Sequence, residues 1–188
     1  MEKKEANIII PEGTFNVNCF FYNNNDLRTL AEIYTSWVNL SNLTQNFGGR
    51  RINIPEILSE VIYCIHFNAI RLADSIGQAN TSFDCYNPNN KKRVQIKASS
   101  VENDLTSFGP RSVWDELVFI HFFPTKKYDG SYDIYKIESE LIYKHKVNKH
   151  QTFIDQQKEG KRPRFSLMKE LIKPNKIKPF LRSKLDIL

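Results

Sequence analysis

The chain is short of the residues that staple or interrupt a fold: 7 glycines, 8 prolines and 3 cysteines among 188 residues. So little Gly and Pro argues against a fibrous or disordered chain. Cys19, Cys64 and Cys85 are odd in number and show no C-x-x-C spacing. Neither a disulfide framework nor a zinc knuckle is supported, and they read as small buried residues. No apolar run approaches the roughly 18 residues that a membrane span needs. The opening MEKKEANIIIPEG has no long apolar stretch ending in a small-residue cleavage site. We therefore expect a cytoplasmic chain with no membrane partner. His66, His121, His145 and His150 have no Cys or second His at ligand spacing, which argues against a zinc site and against an H-N-H nuclease. Ser99 and Ser100 have no neighbouring histidine in the sequence, so Ser-His catalysis is not indicated.

Apolar residues make up 40% of the chain, with 13 Phe and 8 Tyr. That composition suits a packed globule, and the length suits one domain, spanning residues 1–188. Trp114 and most of the Phe and Tyr residues read as core. The charge is uneven: from Leu141 to Leu188 there are 13 Lys and Arg against 4 Asp and Glu, a net of +9, so with +6 overall the first 140 residues carry −3. A cationic tail can bind a polyanion by releasing its counterions, nucleic acid being the commonest; a merely solvated face is the other reading. We divide the chain into a core of about 50–145 and a basic segment of about 146–188 suited to holding such a polyanion.

Apolar periodicity predicts a first helix over about Asp26–Asn39, with Asp26 as N-cap, and a long second helix over about Pro55–Asp74. Glu56 and Glu60, four residues apart, share the polar stripe of that second helix. After Gly77 comes a hairpin signature: strand-like TSFDCY, the turn NPNNKK and strand-like RVQIKAS. VWDELVFIHFF is a nearly continuous apolar strand and so a central one. GSYDIYKIE is a further strand, and a helix starts near Glu138. In the tail, RPRFSL suggests a short strand and SLMKELI a turn of helix ending at Pro174. The order indicates a mixed α/β domain, helices against a small sheet.

The chemistry concentrates in TSFDCYNPNNKKRVQIKASS, residues 81–100. Strand alternation sends Gln95 and Lys97 to one face and Val94 and Ile96 to the other, and a hairpin can bring Asp84 to the side of Gln95. An acid, an amide oxygen and an ammonium then converge. The set suits Mg²⁺-dependent phosphodiester hydrolysis. Asp84, the Gln95 side-chain carbonyl and the main-chain carbonyl of Ile96 are hard oxygen ligands, and Lys97 can position the attacking water and stabilise the transition state.

On these residues the chain resembles the PD-(D/E)xK nucleases, with Asp84 at the invariant acid, Gln95 at the D/E position and Lys97 at the lysine. Phe83 stands where the pattern has proline, and Gln95 is an amide where a carboxylate is usual. The resemblance implies an α/β fold with a restriction-endonuclease-like core, a mixed central β-sheet flanked by helices. It also implies Glu60 as the acid contributed by the preceding helix, with Glu56 the competing candidate, and it leaves one or two metal ions open. FGPRSVWDELVFIHF and RPRFSL are similar to segments of small type II restriction endonucleases, in particular the compact enzymes that cut at GCNGC, over about residues 45–180. That similarity implies site-specific cleavage of double-stranded DNA by a homodimer, with a cognate DNA methyltransferase as genetic partner. Arg50, Arg51, Ser107, Arg111 and Arg164 are the candidate DNA contacts, and Lys176 and Lys178 candidate phosphate contacts or solvated lysines. A non-catalytic nucleic-acid-binding protein and a repair or recombination nuclease of the same fold remain alternatives.

Overall fold

The computed structural model describes residues 1–76 and 82–187. Two nine-residue strands, β1 (Glu2–Ile10) and β2 (Gly13–Phe21), open the chain as a hairpin. Helix α1 (Leu27–Asn46) follows, then α2 (Glu56–Phe67), β3 (Ile70–Leu72), β4 (Cys85–Asn87) and β5 (Lys92–Ser99). Next come β6 (Thr106–Ser107), β7 (Glu116–His121) and β8 (Ser131–Ile137), then the short helices α3 (Ser139–Tyr143) and α4 (Phe153–Lys158). β9 (Arg164–Phe165), a wide helical turn (Leu167–Ile172) and β10 (Leu181–Lys184) complete it.

Among the described residues eight strands form one sheet, ordered β1-β2-β3-β4-β5-β7-β8-β10, while β6 pairs with β9 beside it. Only β5 and β7 run parallel; the other neighbours in the large sheet are antiparallel. The sheet is mixed and flanked by helices, as the resemblance implied, with the apolar strand β7 at its interior; at eight strands it is larger than the small sheet that the order of elements suggested, because the N-terminal hairpin, β3 and β10 join it. Cys85, Val94, Ile96, Val118 and Ile120 pack under α1 and α2. Leu117, Phe119, Tyr135 and Ile137 face a second core with Phe108, Trp114, Ile142, Phe153 and Phe165. A third cluster joins the N-terminal hairpin to Ile70, Phe83 and Tyr86. All three cysteines are buried and unbridged.

Several expectations need correction. The first helix runs seven residues further than Asn39, and Asp26 does not cap it with its side chain. Instead Asn23 and Asp26 form a capping box around a preceding 3₁₀ turn, where the Asn23 backbone N–H donates to Asp26 at 2.9 Å. The second helix stops at Phe67, not Asp74, because Asn68 takes a left-handed conformation (φ 49°) and closes the end. Ile70–Leu72 then becomes strand, since β2 and β4 offer it ladders on both sides. Ala69 and Leu72 fit either period, and tertiary pairing decides between them. The N-terminal hairpin and β10 had no counterpart in the sequence reading. The alternation of Phe15, Val17, Cys19 and Phe21 was the available signal for the hairpin. Gly77 and Thr81, at the front of the predicted hairpin, lie outside the described residues.

Candidate active site

The β4–β5 hairpin forms as the sequence suggested, but its two arms differ in length. Ladder pairing ends at Cys85↔Val94, with one further bond from the Asp84 N–H to the Val94 carbonyl at 3.0 Å. From there β5 continues to Ser99 with only β7 beside it in the ladder. The Ile96 N–H, facing the side that β4 has left, donates to Asp84 Oδ2 at 2.6 Å. Gln95 Nε2 donates to the same oxygen. In a strand the N–H and C=O of one residue share an edge, so the Ile96 carbonyl lies on this open side too. Asp84 thus stands in for the missing length of β4.

The parallel register sets Gln95 opposite Leu117 and Lys97 opposite Phe119, on the face away from α2. Gln95 is buried. The Lys97 ammonium lies over the Phe108 ring, 5.7 Å from its centroid. Glu60 reaches the region from α2, buried with its carboxylate on the Arg71 Nε, whereas Glu56 is exposed one turn earlier. Cys85 ties the two elements together, its thiol 3.5 Å from that of Cys64 and 3.8 Å from the Glu60 carbonyl.

The electrostatics follow from this crowding. Burial pushes the Asp84 carboxyl up to about 6; the Ile96 N–H and the Lys97 ammonium pull it down, while Glu60 and Glu56 push it higher. Burial also raises the Glu60 carboxyl above the usual carboxylate range, and Arg71 and Lys97 oppose that rise. A partly desolvated carboxylate whose charge a second acid further destabilises is a place where a cation is favoured. The oxygens of this neighbourhood are hard ones: the Asp84 and Glu60 carboxylates, the Gln95 amide oxygen and the Ile96 carbonyl. That set suits Mg²⁺ or Mn²⁺, which bind through one or two carboxylates and keep several waters. Among the described residues there is no group of three or more His, Cys, Asp or Glu that could hold a metal.

The candidate DNA contacts separate into two groups. Ser107 pairs with Arg164 across β6 and β9, both exposed, and Phe108 beneath Lys97 follows directly. Arg111 is exposed in the loop beyond, which the Val113 N–H ties back to the Ser82 hydroxyl at 2.9 Å, two residues from Asp84. Ser107, Arg111 and Arg164 are therefore carried by segments joined to the catalytic hairpin. Arg50 is exposed at the end of α1, but Arg51 is engaged within the chain. Its guanidinium stacks 4.0 Å from the Tyr128 centroid and donates to Gln45 at 2.8 Å and Asn42 at 3.2 Å. Lys176 and Lys178 are exposed. Ser99 has a histidine beside it after all, since β7 sets His121 opposite. The Ser99 hydroxyl nevertheless donates to the Val101 carbonyl. A concavity of about 630 Å³ between α1 and the Lys184–Asp186 segment contains none of these groups.

A mixed sheet flanked by helices is compatible with the restriction-endonuclease class of nucleases, and the comparison with known families places the chain there. Residues 22–174 match the Bsp6I restriction endonuclease family. The chain belongs to that family. It is 34% identical over 160 residues to the type II restriction enzyme Bsp6I of Bacillus sp. (strain RFL6), covering 82% of this chain and 86% of that enzyme. No solved structure matches significantly. The chain is thus a type II site-specific deoxyribonuclease acting on double-stranded DNA. Arg71 is the residue of this neighbourhood that sequence reasoning missed, because it fell inside a predicted helix.

Proposed function

We propose that this enzyme cuts both strands of duplex DNA at GCNGC with Mg²⁺, using Asp84, Glu60, Gln95 and the Ile96 carbonyl as the metal-binding set and Lys97 as the residue beside the attacking water. The observation that carries the assignment is the Asp84 carboxylate, which holds Gln95 and the Ile96 N–H together at the unpaired edge of β5. The bound dication supplies Lewis acidity and neutralises charge on the scissile phosphate. Asp84 fixes the edge to which the phosphate is brought. Gln95, locked under the sheet, keeps that carboxylate oriented. Lys97 holds a hydrogen-bonding water and offers positive charge to the oxygens of the pentavalent transition state, in a site whose walls are apolar. Leaving-group protonation falls to solvent or to a water that Lys97 orders.

The single domain supplies one active site per chain, so cutting both strands of a two-fold target calls for a homodimer. Ser107, Arg111 and Arg164 approach the DNA from the segments beside Lys97, Arg50 from the end of α1, and the basic tail contacts phosphates. Guanine O6 and N7 are best met by arginine, which suits a G·C-rich site. A cognate methyltransferase protects the host's own sites, and both work in the cytoplasm; among the described residues no helix is long and apolar enough to cross a membrane. Digesting a plasmid with Mg²⁺ and sequencing the ends tests activity, target and cut position at once. Cutting at scattered positions, or none without added nucleotide cofactors, would sink this reading.

A further inference from the structure

Arg71 occupies an unusual place. It sits in the middle of the three-residue strand β3, paired across to Phe20 of β2 on one side and to Cys85 of β4 on the other. The side chain leaves the sheet on the α2 side and meets Glu60 through Nε. Its guanidinium lies 5.9 Å from the Phe20 centroid and against the Tyr22 hydroxyl. Both aromatic residues belong to the end of the N-terminal hairpin, so β2 backs the arginine while α2 presents the acid to it. The side chain of Glu60 is 10% exposed and that of Arg71 33%. An arginine spent on a helix carboxylate, in the strand that pairs directly with β4, is poorly placed as a surface ion pair and well placed to orient a ligand.

We propose that Arg71 is the positioning residue of the helix acid: it fixes the Glu60 carboxylate between α2 and β3 and so sets the affinity of the site for its divalent ion, without touching ion or DNA. The proposal rests on the reading of Glu60 as a metal-binding group. Carboxylates that ligate metals are themselves held by hydrogen bonds from a surrounding shell, and losing such a partner typically weakens metal binding about 10- to 100-fold. A planar guanidinium with the Phe20 ring near it and the Tyr22 hydroxyl against it is suited to that task, whereas a flexible ammonium is not.

The test measures Mn²⁺ binding to the DNA-free protein by the loss of the free-ion electron paramagnetic resonance signal, with circular dichroism confirming the fold. Arg71→Met should weaken Mn²⁺ binding by about 10- to 100-fold. Arg71→Lys, which keeps the charge but loses the fork, should fall between it and the parent. Glu60→Gln should be at least as weak as Arg71→Met, and the double variant no weaker than Glu60→Gln alone, because Arg71 acts through Glu60. Cleavage by Arg71→Met should return towards the parental rate as Mn²⁺ is raised, which a structural defect would not allow. Parental Mn²⁺ affinity in a folded Arg71→Met overturns the proposal. So does parental affinity in Arg71→Lys if Arg71→Met fails to fold, because the residue then serves the fold alone. Parental affinity in Glu60→Gln instead removes Glu60 from the metal set, whatever Arg71 does.

Discussion

The two halves of β5 make opposite use of one strand. From Lys92 to Val94 it is paired with β4, and β7 joins on the other side at Val94, where the Asp115 N–H also donates to the Arg93 carbonyl at 2.9 Å. Its charged residue there, Arg93, is spent on structure: Nε and Nη2 fork onto Asp115 at 2.9 and 2.7 Å, and the Arg93 N–H adds a third bond to the same carboxylate at 2.8 Å. From Gln95 to Ser99 the β4 side is open, and the Asp84 carboxylate there accepts from the Ile96 N–H and the Gln95 amide. A fully paired strand has no main-chain group left for a ligand. A strand that outruns its neighbour does, and an acid at the point of departure can both satisfy that edge and bind a cation. The motif's spacing encodes this arrangement: the acid precedes the short arm and the amide and lysine lie beyond its reach.

The largest expected effect lies in the open half. Asp84→Ala and Lys97→Ala should each reduce duplex cleavage at least about a thousandfold, roughly 4 kcal/mol of transition-state stabilisation, with unchanged circular dichroism. Gln95→Ala should lose most activity, whereas Gln95→Glu should retain it with an altered metal dependence. Cleavage within about tenfold of the parent in both Asp84→Ala and Lys97→Ala would remove the distinction between the halves.

The paired half should show the reverse. Arg93→Met strands a partly desolvated Asp115, whose carboxyl the arginine holds below its usual range. Since Asp115 is 33% exposed, we expect a loss of about 2–3 kcal/mol rather than the full cost of breaking a buried pair. Cleavage well below the melting temperature should survive. A stable but inactive Arg93→Met would show that catalysis extends into the paired half.

Stability against pH sharpens the contrast further. With its folded-state value raised to about 6 from the ordinary value of 3.8, Asp84 contributes stability that is fully present below about pH 3.8 and lost as pH rises through about 6. At pH 8 the ionised carboxylate is a net cost to the metal-free fold. Asp84→Asn, which still accepts the Ile96 N–H, should therefore melt higher than the parent at pH 8, by up to about 3 kcal/mol, and little differently near pH 4. Thermal melts of both proteins in chelator at the two pH values measure this. An equal shift at both would mean that the acid is not strained by its surroundings.

What the sequence made legible was local. The hairpin, the central apolar strand β7 and the face shared by Gln95 and Lys97 follow from turn residues, apolar runs and a period of two. Asp84, Gln95 and Lys97 could therefore be placed on the hairpin before their neighbours were known. What escaped was decided by pairing between distant segments. β3 reads as the end of a helix until β2 and β4 are there to take it, so Arg71 was invisible as the partner of Glu60. Arg51 reads as a free arginine after a glycine turn until the loop bearing Tyr128 is folded over it. The hairpin β1–β2 carried a visible alternation in Phe15, Val17, Cys19 and Phe21, but its place at the edge of the sheet depends on β3, which the local pattern hides.

The smallest effects concern the arginines, which the structure separates by what surrounds them. Arg111 and Arg164 are exposed on segments tied to the catalytic hairpin, Arg50 is exposed at the end of α1, and Arg51 is stacked on Tyr128. An arginine that reads a base should, when replaced by Ala, cost about 1–3 kcal/mol on the GCNGC duplex and little on random DNA. One that contacts phosphate should weaken both duplexes alike and flatten the dependence on salt, because fewer counterions are released. Arg51→Ala should behave as neither. It removes two hydrogen bonds and a cation over an aromatic ring, so the melting temperature should fall while the ratio of affinities for the two duplexes stays constant. Binding each variant to both duplexes at two salt concentrations, with Ca²⁺ in place of Mg²⁺ to hold off cleavage, distinguishes the three outcomes. If Arg51→Ala alone loses discrimination while Arg50, Arg111 and Arg164 do not, specificity is read from the α1 side of the molecule, and the segments beside Lys97 serve only to grip the backbone.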